Sequence, residues 1–227
     1  MMCVLCCLAA LALPEHRGER AASSALKTPS GYLATLRSGL SEVRGSQSVR
    51  GAVVLLIVVS VFWETLEEYV PLLAAEAGVA TVTVPVVMWV VWMCITVGGL
   101  FAGRAAGLPA PFLGVLLMVA VVAVGVGGHL GTWTGWVVLG AGFTVFHMVA
   151  VVADARLQDR ITGPGRATVT SLAGMGTETV AIVVFASYAG VLQWGNHAVA
   201  FTLFTLPYLV AGIVLARVRQ RPQTEQN

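Results

Sequence analysis

Val61–Leu73 reads VFWETLEEYVPLL and continues an apolar run, GAVVLLIVVS, that begins at Gly51. Together the two stretches are long enough to cross a bilayer as a helix, which takes about 20 mostly apolar residues. Three carboxylates, Glu64, Glu67 and Glu68, nevertheless lie inside the run. A carboxylate at mid-membrane costs roughly 2.5 kcal/mol or more on insertion scales, so three of them require a compensating environment. At 3.6 residues per turn, Ser60, Glu64, Glu67, Glu68 and Pro71 fall within one stripe about 100° wide. That stripe is excluded from lipid. It is expected to face a water-filled cavity, a substrate or a basic partner, with other helices arranged to enclose it.

The rest of the chain supplies such helices. Of its 227 residues, 57% are hydrophobic and 11% charged, and the mean hydropathy is +0.86. A soluble domain is about 25% charged, so the composition is that of an all-α, polytopic membrane protein. Six spanning segments are expected at about 51–74, 80–101, 109–127, 133–153, 167–190 and 196–216, joined by short connections. Ahead of them, residues 1–13 are apolar but too short to span. With no basic region before them and no small-x-small cleavage site, they read as the truncated end of a transmembrane helix. Residues 14–50 form a basic linker. Leu33, Leu36, Leu40 and Val43 recur in it at helical spacing, the pattern of an amphipathic helix that lies on the membrane surface or links in solvent. Residues 217–227 are a polar tail.

Orientation follows from charge. If the 14–50 linker is cytoplasmic, all thirteen Lys and Arg residues fall in it, in the loops after the second and fourth segments, or at the C-terminal end. The opposite loops carry none, so the positive-inside rule places both ends in the cytoplasm. Trp133, Trp136 and Trp194 lie near the outer ends, where an aromatic belt is expected. Arginine and lysine show no nucleic-acid pattern. Cys3 and Cys6 form a CxxC in a wholly apolar stretch with no histidine nearby, and read as small hydrophobic residues rather than a metal pair. No cofactor is expected. HExxH and GxSxG are absent, and Ser171 with His147 is no recognisable nucleophile pair, so no enzyme is expected either.

Further polar groups lie inside the spans. Gly140, Thr144, His147 and Asp154 share a face of the fourth segment, and Ser171, Gly174 and Glu178 share a face of the fifth. The second offers Thr96 and Gly98–Gly99, while the third and sixth carry no ionisable residue in their cores. Segments one, two, four and five are thus expected to line the interior, with three and six at the periphery. Glu64 and Glu178 have no Lys or Arg at their depth, and a protonatable carboxylate facing a cavity is what proton coupling needs. His147 either serves the same cavity or bonds a neighbouring helix. Glu76 reads as a plain loop residue.

Four features resemble the major facilitator superfamily, and in particular the second half of one of its twelve-helix transporters. They are the basic linker GYLATLRSGLSEVRGSQSVR running into FWETLEEYVPLL, the loop GGLFAGRAAGL (Gly98–Leu108), the connection LQDRITGPGRATVTSL (Leu157–Leu172), and the six-helix count. The resemblance implies half of a major facilitator fold, built as two inverted three-helix repeats, with the substrate near midplane between halves. It further implies secondary active transport of a small organic solute, as proton-coupled efflux across the cell membrane. Glu64 and Glu178 would be the proton or cation sites with His147 beside them, and Glu67 and Glu68 would line the outer cavity. Pro71 would bend the first helix, and Arg104, Asp159 and Arg160 would belong to cytoplasmic loop motifs. The implied partners are lipid, a small-molecule substrate, protons, and either a missing N-terminal half or a second copy. The competing reading is a non-transporting membrane module that binds a partner through its open face.

Overall fold

The computed structural model describes residue 41 and residues 45–161 and 166–217, and all its regular structure there is helical. The 1–13 stub, the 14–40 part of the linker, the Gly163–Pro164–Gly165 turn and the tail from 218 lie outside the described residues. In chain order the helices are α1 (Gln47–Glu76), α2 (Val84–Ala105), α3 (Ala110–Leu130), α4 (Trp133–Arg160), α5 (Arg166–Val191), α6 (His197–Phe204) and α7 (Leu206–Arg217). The last two lie in one span, so six segments are long and apolar enough to cross a membrane. The chain is an all-α, six-helix membrane bundle.

Local chemistry explains where the helices depart from expectation. α1 begins a turn earlier than the apolar run, because the Ser46 hydroxyl accepts a hydrogen bond from the Val49 N–H and caps the helix. It passes through Pro71 and ends at Glu76. Since proline has no N–H, the Glu67 carbonyl lacks its usual helical donor there. α4 runs on through DARLQDR, expected as loop, because Leu157 is fully buried and holds that extra turn on the bundle. The sixth span breaks at Thr205, two residues before Pro207, whose missing N–H leaves the Leu203 carbonyl without its usual helical donor. The Thr205 hydroxyl closes the break by donating to the Thr202 carbonyl at 2.7 Å. Gly131 ends α3 at φ 60°, a left-handed conformation that suits glycine.

α4 is the hub: it packs on α1, α2 and α3, while α3 also packs on α7. Close approach depends on small residues, as is usual where lipid provides no hydrophobic drive between helices. A Cβ on Gly98 would collide with the Thr144 carbonyl oxygen of α4, and one on Gly114 would come within 2.5 Å of the Gly212 carbonyl oxygen of α7. The core between the helices is aromatic. Trp136, Phe143, Phe146, Phe201 and Tyr208 are all fully buried, and the Phe146 and Tyr208 rings stack at 3.9 Å. Trp136 therefore belongs to the core and not to an interfacial belt, whereas Trp133 and Trp194 are exposed. α5 is the odd helix out. Only 17% of its apolar stretch is buried, against 61% for that of α4, because α1 is almost its sole neighbour.

Candidate functional site

The exposed side of α5, the stripe of α1 and one edge of α4 enclose a cavity of about 420 Å³. From α1 come Leu56, Ser60, Trp63 and Glu64. From α4 come His147, Ala150, Val151 and Asp154, and from α5 Thr170, Ala173, Gly174, Thr177 and Glu178. Three carboxylates, a histidine and three hydroxyls thus converge from helices far apart in sequence, on a wall otherwise apolar. Among the described residues no lysine or arginine lines it. The distance from Thr170 to Glu178 along α5 is about 12 Å at 1.5 Å per residue, so the cavity runs from the Arg160 end of the bundle to roughly mid-span.

Glu64, His147 and Glu178 are brought together by this arrangement. Glu64 and Glu178 are exposed on its open side. His147 is half-buried: its ring lies 4.9 Å from that of Trp63, edge to face, and its Nε2 would sit 3.4 Å from a Cβ on Gly99. His147 Nδ1 and Trp63 Nε1 are both buried without a hydrogen-bond partner. Asp154 accepts from the Gln158 amide at 3.5 Å, and Gln158 also donates to the Thr170 hydroxyl across to α5.

Glu67 and Glu68 do not reach the cavity. The acidic stripe has the right angle on α1, but the cavity closes above Glu64, one turn short of them. Glu67 is 8% exposed, packed into the bundle, and Glu68 is exposed outside it. α2 also contributes nothing to the lining. The Thr96 hydroxyl donates to the Trp92 carbonyl of its own helix, and Gly98 and Gly99 serve packing against α4. Trp89 and Trp92 face outward. The polar face expected on α4 divides: Thr144 turns to α2, its hydroxyl 2.8 Å from the Cys94 carbonyl, while His147 and Asp154 turn to the cavity.

At the Arg160 end two arginines bind backbone. Arg160 donates to the Ser48 carbonyl at 3.3 Å, and Arg156 to the Ala106 and Leu108 carbonyls at 3.3 and 2.9 Å, tying α4 to the α2–α3 loop. Asp159 is exposed, and Arg104 stands over the Phe101 ring at 6.0 Å. The opposite end is tied differently. Glu76, expected to be a plain loop residue, accepts from the His197 N–H at 2.8 Å and so joins α1 to the start of α6. His197 Nδ1 shares a 2.8 Å hydrogen bond with the Tyr188 hydroxyl of α5, and Tyr188 stacks on Tyr69 of α1 at 3.8 Å.

Sequence reading missed Tyr208. This residue of the supposedly peripheral sixth span is fully buried, and its hydroxyl accepts from the Trp63 N–H and donates to the Val59 carbonyl, each at 2.8 Å. Those two backbone groups are i and i−4 partners, so the tyrosine inserts into a rung of the α1 ladder just below Glu64. A buried tyrosine hydroxyl normally finds a partner, and a lone Tyr in an apolar run is the signal available in advance.

Among the described residues, no group of three His, Cys, Asp or Glu side chains is placed to hold a metal ion. No protein-family model, no curated protein and no solved structure matches the chain.

Proposed function

We propose that this chain is one half of a secondary transporter that moves a small organic solute across a cell membrane in exchange for protons. The observation that carries the reading is the convergence of Glu64, His147, Asp154 and Glu178, from three spans, on one cavity inside the apolar bundle. Ionisable groups at such depth are costly and usually mark an ion or substrate path. A volume of about 420 Å³ falls within the range of small-molecule sites. Glu64 and Glu178 carry the proton in this scheme, and His147 stands between the cavity and α2.

The cavity lies toward the arginine-rich end, taken as cytoplasmic, while the far end is tied through Glu76, His197, Tyr188 and Tyr69. That is the shape of an inward-open half. A facing bundle would cover the open side of α5, as the missing half of a major facilitator fold or as a second copy, and transport would be rocking of one bundle against the other. The deciding experiment is a proton-flux assay on the full chain in liposomes, alone and with its partner bundle. Glu178→Gln is expected to abolish solute-driven proton movement with the bundle still folded; unchanged movement removes Glu178 from the mechanism. A second reading, a membrane module that only docks a partner, is favoured by how little of α5 is buried. It predicts a stable complex and no flux with any bundle.

A further inference from the structure

We infer that a second cavity, between α1, α3, α4 and α7 at the Arg160 end, binds an anionic phospholipid whose phosphate is held by Arg156 and Arg160. The inference does not rest on the transport reading. Arg156 and Arg160 stand one turn apart on α4, and both line this cavity of about 220 Å³. Like charges so placed on one helix face repel each other. Among the described residues no carboxylate lines the cavity or pairs with either guanidinium: Asp154 lines the larger cavity, and Asp159 is exposed. A guanidinium carries five N–H donors. Arg156 gives only Nη2 to the Ala106 and Leu108 carbonyls, and Arg160 only Nη1 to that of Ser48, so each keeps Nε and its other Nη for an anion. The carbonyl bonds hold both groups in place, and two such forks side by side suit the oxygens of a phosphate. α3 also begins on this wall, at Ala110 with no side-chain cap, and adds the positive pole of a helix dipole.

Below the arginines the wall is apolar. Val149, Val152 and Ala153 of α4 form it with Leu55 of α1, Leu113 of α3 and Leu215 of α7. From Arg160 to Val149 is about 16 Å along α4 at 1.5 Å per residue, so the cavity runs from the membrane surface toward mid-span. Its volume is below the roughly 300–1,000 Å³ of a site that encloses a whole small molecule. It therefore takes part of a larger one. α7 packs closely on α3 and only lightly on α1, and the cavity lies in that gap. Val54 of α1 and Val210 and Val214 of α7 are exposed, so the neighbouring surface is one that lipid covers. A small soluble anion would pair with the arginines and leave the apolar wall bare, and a neutral chain would do the opposite. A phospholipid answers both, with its phosphate at the rim and one acyl chain running down the gap. A choline headgroup would add a cation beside two guanidiniums, so the lipid is one of net negative charge. The arginine-rich end is the one taken as cytoplasmic, and basic pockets between helices on that side suit anionic headgroups.

The test counts lipid on the protein and measures no flux, so it succeeds or fails apart from transport. The full chain in neutral detergent micelles is mixed with equal amounts of dioleoylphosphatidylglycerol and dioleoylphosphatidylcholine, and native mass spectrometry shows which is retained. One phosphatidylglycerol is expected to be held about tenfold or more in preference to phosphatidylcholine. Arg156→Gln/Arg160→Gln is expected to bring that ratio close to one, while the glutamines still offer donors to the anchoring carbonyls. Arg104→Gln removes a charge at the same end but outside the cavity lining, and is expected to leave the ratio unchanged. Inorganic phosphate at millimolar concentration is expected not to displace the lipid. Circular dichroism and the melting temperature establish that the double variant is folded. If it is not, Arg160→Gln alone, exposed at the rim, is expected to lower the preference severalfold. Equal retention of the two lipids, retention of neither, a preference that survives in the folded variants, or an equal loss in Arg104→Gln overturns the inference. Displacement by phosphate also overturns it, since a site that reads phosphate alone has no use for the apolar gap.

Discussion

Tyr208 illustrates how one hydroxyl can set the geometry of a site to which it does not belong. By bonding the Val59 carbonyl and the Trp63 N–H it fixes the stretch of α1 that carries Ser60, Trp63 and Glu64 in the cavity wall. Removing the hydroxyl alone leaves two backbone groups that can pair with each other. Tyr208→Phe is therefore expected to cost only about 1 kcal/mol. Tyr208→Ala also empties the space against Phe146, and is expected to cost about 3–5 kcal/mol. Reversible unfolding of the two variants in mixed micelles checks the contrast, and equal losses would mean that the hydroxyl, not the ring, carries the contact. Residue chemistry was only partly legible beforehand. Glu64, Glu178 and His147 stood out because charge is rare in an apolar run, whereas Tyr208 and Trp63 look like ordinary membrane aromatics until their neighbours are known.

At the scale of the element, glycine decides how closely helices approach. Gly98 of α2 lies against the Thr144 backbone of α4, where no side chain fits, while a Cβ on Gly103, five residues on, would meet nothing within 4 Å. Gly98→Val should force the pair apart at a cost of about 1–3 kcal/mol, whereas Gly103→Ala should fall within about 0.5 kcal/mol of wild type. Thermal melts of both variants test this, and a harmless Gly98→Val would show that the α2–α4 contact is looser than described. α1 is the element with the most internal tension between rules. Its ladder is altered at Val59–Trp63 by Tyr208 and at Glu67–Pro71 by proline, so Glu64, Glu67 and Glu68 sit on two turns bracketed by the two perturbed rungs. Helical periodicity predicted the angle of this acidic stripe. How much of its length meets a cavity depends on where α4 and α5 cross it.

For the whole molecule, the consequence is asymmetry between the two ends and between the two sides. One end has an open cavity, and the other is held by the Glu76–His197 and Tyr188–His197 bonds. A cysteine introduced at Thr170, with Cys3, Cys6, Cys7 and Cys94 replaced by Ala, should react with a membrane-impermeant maleimide only from the side bearing Arg160. Labelling from the opposite side alone would invert the topology drawn from the arginines. One flank of the bundle is weakly packed: α5 leaves most of its apolar stretch uncovered beside two exposed carboxylates. That flank is where a facing bundle has most to bury.

The sequence by itself determined that the chain is a helical membrane protein, how many of its segments are long and apolar enough to cross, and which carboxylates fall inside those segments. These conclusions follow from the length of apolar runs, the absence of basic residues from alternate loops and the energetic cost of charge in hydrocarbon, all properties of single segments. Only the tertiary structure decided that α2 packs rather than lines, that Glu67 turns inward while Glu64 and Glu178 share a cavity, and that the sixth span reaches the core through Tyr208. Those outcomes depend on which glycine meets which backbone and where one helix crosses another. Such contacts join residues far apart in the chain, 50 positions for Thr144 and Cys94 and 149 for Tyr208 and Val59, and no local periodicity encodes them.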